Sequence, residues 1–152
     1  MGQISCGLLM YKRRSEVQFF LVHPGGPFFQ RKDEGAWTIP KGLLEEKEEL
    51  LQAAQREFAE ETGLVPRGPY LPLGTTKMSS GKIIHAWAFE GEWEEAGGIR
   101  SNTIELEWPP RSGKKMQVPE ADRGKWCSYS DALRLIHPAQ KVFVEKAHTL
   151  LV

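Results

Sequence analysis

The stretch from Gly42 to Leu64, GLLEEKEELLQAAQREFAEETGL, constrains this chain most, because it places Glu57, Glu60 and Glu61 within five residues of one predicted helix. At 100° per residue the three carboxylates fall inside an arc of roughly 100° and share a face. Leu51, Ala54 and Phe58, with Leu50 at the edge, occupy the neighbouring arc, the spacing of an amphipathic helix laid on a core. The acidic face therefore borders the buried face. Ala53 lies among the carboxylates, where a small side chain leaves room for an ion or a phosphate. Glu45, Glu46, Glu48 and Glu49 suit the positive end of the helix macrodipole. Gly63 is the expected left-handed stop, with Leu64 placed for the hydrophobic contact that accompanies such a cap.

Carboxylates clustered beside a core repel one another and lose hydration, so the arrangement needs a cation. No lysine or histidine interrupts the triplet, and Arg56, one turn from Glu60, offers a single ion pair against three charges. Hard oxygen donors without nearby Cys or His point to Mg²⁺ or Mn²⁺ and away from zinc. The competing reading is a solvated acidic helix face.

The stretch fits the pattern G-x5-E-x7-R-E-U-x-E-E-x-G-U, with U a bulky apolar residue, at Gly42, Glu48, Arg56, Glu57, Phe58, Glu60, Glu61, Gly63 and Leu64. Nine specified positions over 23 residues make a specific signal, and the approach WTIPKG, Trp37 to Gly42, agrees with it. In these residues the chain resembles the Nudix hydrolases. The resemblance implies an α/β/α sandwich with a mixed sheet and a loop-helix-loop catalytic box. It also implies metal-dependent hydrolysis of a nucleoside diphosphate linked to another group: a nucleoside triphosphate, a dinucleoside polyphosphate or a nucleotide sugar. Glu57, Glu60 and Glu61 are the expected ligands of Mg²⁺ or Mn²⁺, joined by the Gly42 carbonyl. Glu48 and Arg56 brace the box, Arg56 by holding a carboxylate. Glu120, six residues before Trp126 in PEADRGKW, matches a loop carboxylate of many such enzymes that ligates metal or acts as base. The general base is Glu60 or Glu120. Two other classes stay open: a catalytically silent nucleotide sensor of the same fold, and an interaction domain whose acidic helix meets a basic partner.

The rest of the chain reads as one domain over residues 1–152. Twenty basic and twenty acidic residues cancel, so no global field attracts a membrane or a long nucleic acid, and nothing indicates an oligomer. The charge is local, seven glutamates against Lys47 and Arg56 within the box, and such a patch repels a polyphosphate unless metal ions bridge the two. Cys6 and Cys127 read as buried, reduced thiols. The N-terminal apolar run is too short to span a bilayer. Gly2 suggests myristoylation, but Cys6 stands where that signal needs Ser or Thr, and a cytoplasmic location is expected.

Ile4–Tyr11 and Val17–His23 are predicted as a strand hairpin, Arg67–Lys77 as a short edge strand, and Lys82–Trp93 as a central strand. His23, His85 and Lys41 are candidate substrate contacts. Glu94 to Gly124 reads as a long Gly/Pro-rich loop with a short strand at Thr103–Trp108. Within it Trp108, beside Pro109 and Pro110 and followed by Arg111, Lys114 and Lys115, offers a stacking surface next to cations. Ser130 is expected to cap a helix through Ile136, and Pro138 to open a last helix whose apolar stripe includes Val142, Ala147 and Leu150 or Leu151. The tyrosine expected eighteen residues beyond the box in dinucleoside polyphosphate hydrolases is absent, and Lys82 stands there.

Overall fold

A computed structural model describes residues 3–152, so Gly2 lies outside the described residues. Strand β1 (Ile4–Arg13) and strand β2 (Val17–Pro24) form the expected antiparallel hairpin. Both are apolar on alternate and intervening positions because helices cover both sides of the sheet. Cys6, Leu8, Met10, Phe20 and Val22 face helix α1 (Leu50–Thr62) through Ala53, Ala54 and Phe58. Leu9, Tyr11, Phe19 and Leu21 face helices α2 (Tyr129–Leu135) and α3 (Lys141–Leu151) through Leu135, Phe143, Val144 and Ala147. The fold is thus a mixed sheet between helical layers, an α/β/α arrangement.

The short strand β3 (Lys41–Leu43) pairs with the start of β1. Strand β4 (Leu71–Lys77) lies at the sheet edge, with a register shift between Pro72 and Gly74. Strand β5 (Ile83–Glu90) runs parallel to β1 along eight residue pairs and is central, as predicted. The box helix ends at Gly63 with φ of 78°, and Leu64 packs against the core beside it.

Four expectations need correction. The segment from Glu94 to Gly124 is not mainly loop: the expected short strand is present as β6 (Thr103–Glu107), but it pairs with a second strand, β7 (Lys115–Pro119), in a separate hairpin, and strand β8 (Ala121–Cys127) begins well before Trp126 and pairs with β2. The hairpin carries Ile104, Leu106, Met116 and Val118 on one face, but only Val118 is buried, so no alternating burial signal accompanies it. Ser128, not Ser130, caps α2, its hydroxyl accepting from the Asp131 amide at 3.2 Å. Pro138 opens a 3₁₀ turn, Pro138–Gln140, that leads into α3. In α3 Val142 and Leu150 are exposed, and the buried stripe is Phe143, Val144 and Ala147 with Leu151 at its edge. Among the described residues no helix is long and apolar enough to cross a membrane.

Candidate active site

Helix α1 lies over the β1 and β3 end of the sheet and turns one side of its acidic face inward. Glu57 and Glu61, one turn apart, are buried there, and Glu120 arrives from the junction of β7 and β8. Oxygens of these three carboxylates lie within 4.8 Å of one another. Glu61 is fixed by the Lys41 amide, which donates to its Oε2 at 2.8 Å. Glu120 is tied to Asn102 twice: its amide donates to the Asn102 carbonyl at 2.9 Å, and the Asn102 side-chain amide donates to its Oε1 at 3.3 Å. The Asn102 amide in turn donates to the Glu60 carbonyl at 2.8 Å, so one residue joins the end of α1 to Glu120.

Glu60 does not join this cluster. Its carboxylate accepts from Arg56 Nη1 at 2.8 Å, and its side chain is 40% exposed. Of the expected metal ligands the structure therefore brings Glu57 and Glu61 together with Glu120 and leaves Glu60 beside the arginine. Arg56 does more than form a single pair. Nε and Nη2 donate to both oxygens of Glu48 at 2.8 and 3.0 Å, Nη1 also reaches Glu57 at 3.0 Å, and Nη2 reaches the Leu43 carbonyl at 3.0 Å. The Glu48–Arg56 fork closes the loop before α1 onto the helix, as the bracing role requires. Ala53 is fully buried in the core and leaves no space above the helix. The small residue that makes room is Gly42, where a Cβ would collide with the Glu57 carboxylate.

The electrostatics call for a cation. Burial, reinforced by the charge of Glu120, pushes the Glu61 carboxyl up to about 8, and burial raises Glu57 as well. Oxygen donors alone, in a cleft that disfavours accumulated negative charge, fit a hard divalent ion such as Mg²⁺ or Mn²⁺.

A cavity of about 280 Å³ opens beside the carboxylates, lined by Ser5, Lys41, Gly42, Glu57, Lys82 and Glu120. Lys82 was not among the candidates from sequence, although its position past the box is the one where the tyrosine of dinucleoside polyphosphate hydrolases is expected. Its ammonium is half-buried, and burial together with the nearby Lys41 charge lowers its pKa. A second cavity of about 180 Å³, lined by Pro24, Phe29, Thr38, Met78, His137 and Gln140, shares Lys41 with the first.

The other candidates lie elsewhere. His23 is fully buried, with Nδ1 3.1 Å from Asp122 and Nε2 2.6 Å from the Lys32 carbonyl, so neither ring nitrogen is free for a phosphate. His85 sits within the sheet between Cys6 and Thr75 and lines neither cavity. Trp108 and Arg111 stand at the tip of the β6–β7 hairpin, while Glu120 adjoins its base. The four steps from Pro119 to Lys115 alone separate them by about 13 Å along the strand.

A family model described as NUDIX domain matches residues 2–147. Solved structures share the fold. An Ap4A hydrolase from C. elegans, in a binary complex, superposes with a TM-score of 0.68 at 20% identity, over 97% of each chain. The NUDIX domain of Shewanella oneidensis NrtR, complexed with ADP ribose, gives 0.65 at 18% identity, over 100% of this chain and 90% of that one. A structure from work on MutT of Aliivibrio salmonicida and Vibrio cholerae gives 0.57 at 16% identity, over 97% and 96%. No curated protein sequence matches significantly. With the family model spanning nearly the whole chain and the box folded around one carboxylate cleft, this chain belongs to the Nudix family, as a hydrolase of phosphoanhydrides.

Proposed function

We propose that the protein is a divalent-metal-dependent pyrophosphohydrolase acting on a nucleoside diphosphate linked to another group. The observation that carries this reading is the convergence of Glu57, Glu61 and Glu120 beside a cavity that Glu57 and Glu120 line together with Lys41 and Lys82. Glu57, Glu61, Glu120 and the Gly42 carbonyl are the groups that would hold the ion. When bound, Mg²⁺ or Mn²⁺ supplies positive charge against the phosphoryl oxygens and eases attack by water. Lys41 and Lys82, which line the same cavity as Glu57 and Glu120, meet the phosphates. Glu120 takes the proton of the attacking water; Asn102 keeps its carboxylate aimed. Lys41 lines both cavities, so the group beyond the anhydride is seated in the second one. The names of the structural neighbours, which speak of Ap4A and ADP ribose, support a nucleotide substrate.

The test is phosphate release from nucleoside triphosphates, nucleotide sugars and dinucleoside polyphosphates with Mg²⁺, a phosphatase being added to reveal phosphomonoester products. Turnover on one class names the substrate. No turnover on any of them, with the ion bound, would move the reading to a nucleotide sensor.

The raised Glu61 carboxyl gives a second expectation. Its folded pKa, about 8, lies above the ordinary carboxylate value, so the metal-free protein holds a proton there at pH 7. Its contribution to stability is full below the unfolded value and is lost as pH rises toward 8. A divalent ion must displace that proton, so metal affinity should climb from pH 6 to 8. Calorimetry at pH 7 in two buffers of different ionisation enthalpy should show about one proton released per ion bound. Proton-neutral binding would contradict the assignment of Glu61 as ligand.

A further inference from the structure

Strand β1 carries one polar side chain that neither the packing of the sheet nor the carboxylate cluster accounts for. Cys6, Leu8 and Met10 face α1, so alternation turns Ser5 to the opposite face with Leu9 and Tyr11. There it stands in mid-sheet, across from Leu43 of β3 on one side and Ile84 of β5 on the other. Ser5 is 1% exposed. Alanine would fill such a place without a hydroxyl to satisfy. Among the described residues the Ser5 hydroxyl has no hydrogen-bond partner, yet no enclosed side-chain polar atom lacks one. The hydroxyl therefore keeps an opening, and the space that Ser5 lines is the cavity of Lys41, Lys82, Glu57 and Glu120.

Two cations flank it. Gly7, two residues along on the same face, leaves room for Lys41: a Cβ at Gly7 would come 2.7 Å from the Lys41 Cβ. The Lys41 stem thus lies over β1 next to Ser5. Lys82 comes from the β5 side, where the Ile83 amide donates to the Gln3 carbonyl at 2.9 Å and lays the chain along the start of β1. The two ammonium groups are near enough for the charge of Lys41 to lower the Lys82 pKa. Among the described residues neither lysine is in an ion pair. Two such charges on either side of a free hydroxyl repel each other until an anion takes the space.

We infer that Ser5 is a substrate-binding residue whose hydroxyl donates to a phosphoryl oxygen held between Lys41 and Lys82, and that these three side chains form one subsite for a tetrahedral anion. The lysines supply charge but little direction, because an ammonium on a flexible stem is a point charge. A hydroxyl on a mid-sheet strand is fixed in place, so Ser5 sets how the phosphoryl group is turned. The inference rests on the pyrophosphohydrolase reading above and adds to it the residue that orients the phosphate.

The test is binding of methylenediphosphonate, whose P–C–P bridge water does not cleave, to the full chain by calorimetry with Mg²⁺ saturating. Ser5→Ala should weaken binding about tenfold or more, the scale of a hydrogen bond to a charged group. Ser5→Thr keeps the hydroxyl and should bind nearer to the wild type than to Ser5→Ala. Without ligand the melting temperature of Ser5→Ala should hold or rise, because the hydroxyl it removes has no partner among the described residues. That separates a binding role from a structural one. Equal affinity in the wild type and Ser5→Ala, an equal loss in Ser5→Ala and Ser5→Thr, or a lower melting temperature of ligand-free Ser5→Ala would overturn the inference and leave the hydrolase reading standing. No binding of the diphosphonate to the wild type at millimolar concentration would count against the phosphate cavity itself, and so against both.

Discussion

Turnover by the Glu120→Gln variant is expected to fall by about 100-fold or more, the scale of losing a general base or a metal ligand. The fold should survive, because Glu120 carries negative charge toward Glu57 and Glu61 and raises both of their pKa values. Removing that charge relieves repulsion in the metal-free protein, so its melting temperature should hold or rise. Asn102 can still hydrogen-bond a glutamine side chain, which keeps the loop in place. Glu60→Gln is the informative comparison. The two glutamates are the alternatives the sequence leaves open for the base, and Glu60 is engaged by Arg56 and partly exposed. Its loss should cost less than about tenfold in kcat, since a neutral amide still accepts from Arg56. A larger loss from Glu60→Gln than from Glu120→Gln, in steady-state kinetics with Mg²⁺ saturating, would reverse the assignment.

The Arg56→Met variant should lose about 3 kcal/mol of stability, because one guanidinium answers three carboxylates and a carbonyl. Glu48 and Glu57, with side chains only 9% and 12% exposed, would be left without a counter-charge. For a chain of this length the melting temperature should drop by roughly 6–12 °C. Arg56→Lys should recover less than half of that loss, since an ammonium cannot fork across both oxygens of Glu48. The deficit should depend on pH with a definite sign. Arg56 holds the Glu48 carboxyl below its ordinary value, so this contribution is present above the unfolded pKa and lost as pH falls through the folded one. The wild type and Arg56→Met should therefore converge in acid. An undiminished gap at low pH in thermal melts would show that packing, not the ion pairs, carries the difference.

The box could be read from the chain because nearly all of its information is local. Helical spacing alone puts Phe58 and Ala54 inward and Glu57 and Glu61 beside them, and a glycine at position 63 marks the stop. The same spacing does not separate Glu60 from them. An arc of 100° is wide enough that its two sides meet different neighbours, one the cleft and the other Arg56. Glu120 was found by its place ahead of Trp126, but Lys82, His137 and Gln140 come from distant segments, and only the sheet order and the register of β1 with β5 and β3 bring them near Gly42 and Lys41. No spacing rule reports such a meeting. Strand β6 was expected, but its partner β7 escaped for another reason: with Met116 exposed and Pro and Gly around the turn, its residues look like a solvated loop. His23 was correctly seen at a strand end, but Asp122 and the Lys32 carbonyl, both remote in sequence or in a loop, decide that it is structural.

The central claim is that Glu57 and Glu61 with Glu120 hold a divalent ion, and the most direct measurement is the melting temperature with and without Mn²⁺ for the wild type and for the double variant Glu57→Gln, Glu61→Gln. Binding to the folded state alone raises stability by about 2.7 kcal/mol at one hundred times the dissociation constant. The wild type should therefore melt several degrees higher with Mn²⁺, and the double variant should show no shift. An unchanged shift in the double variant would place the ion elsewhere and contradict the account.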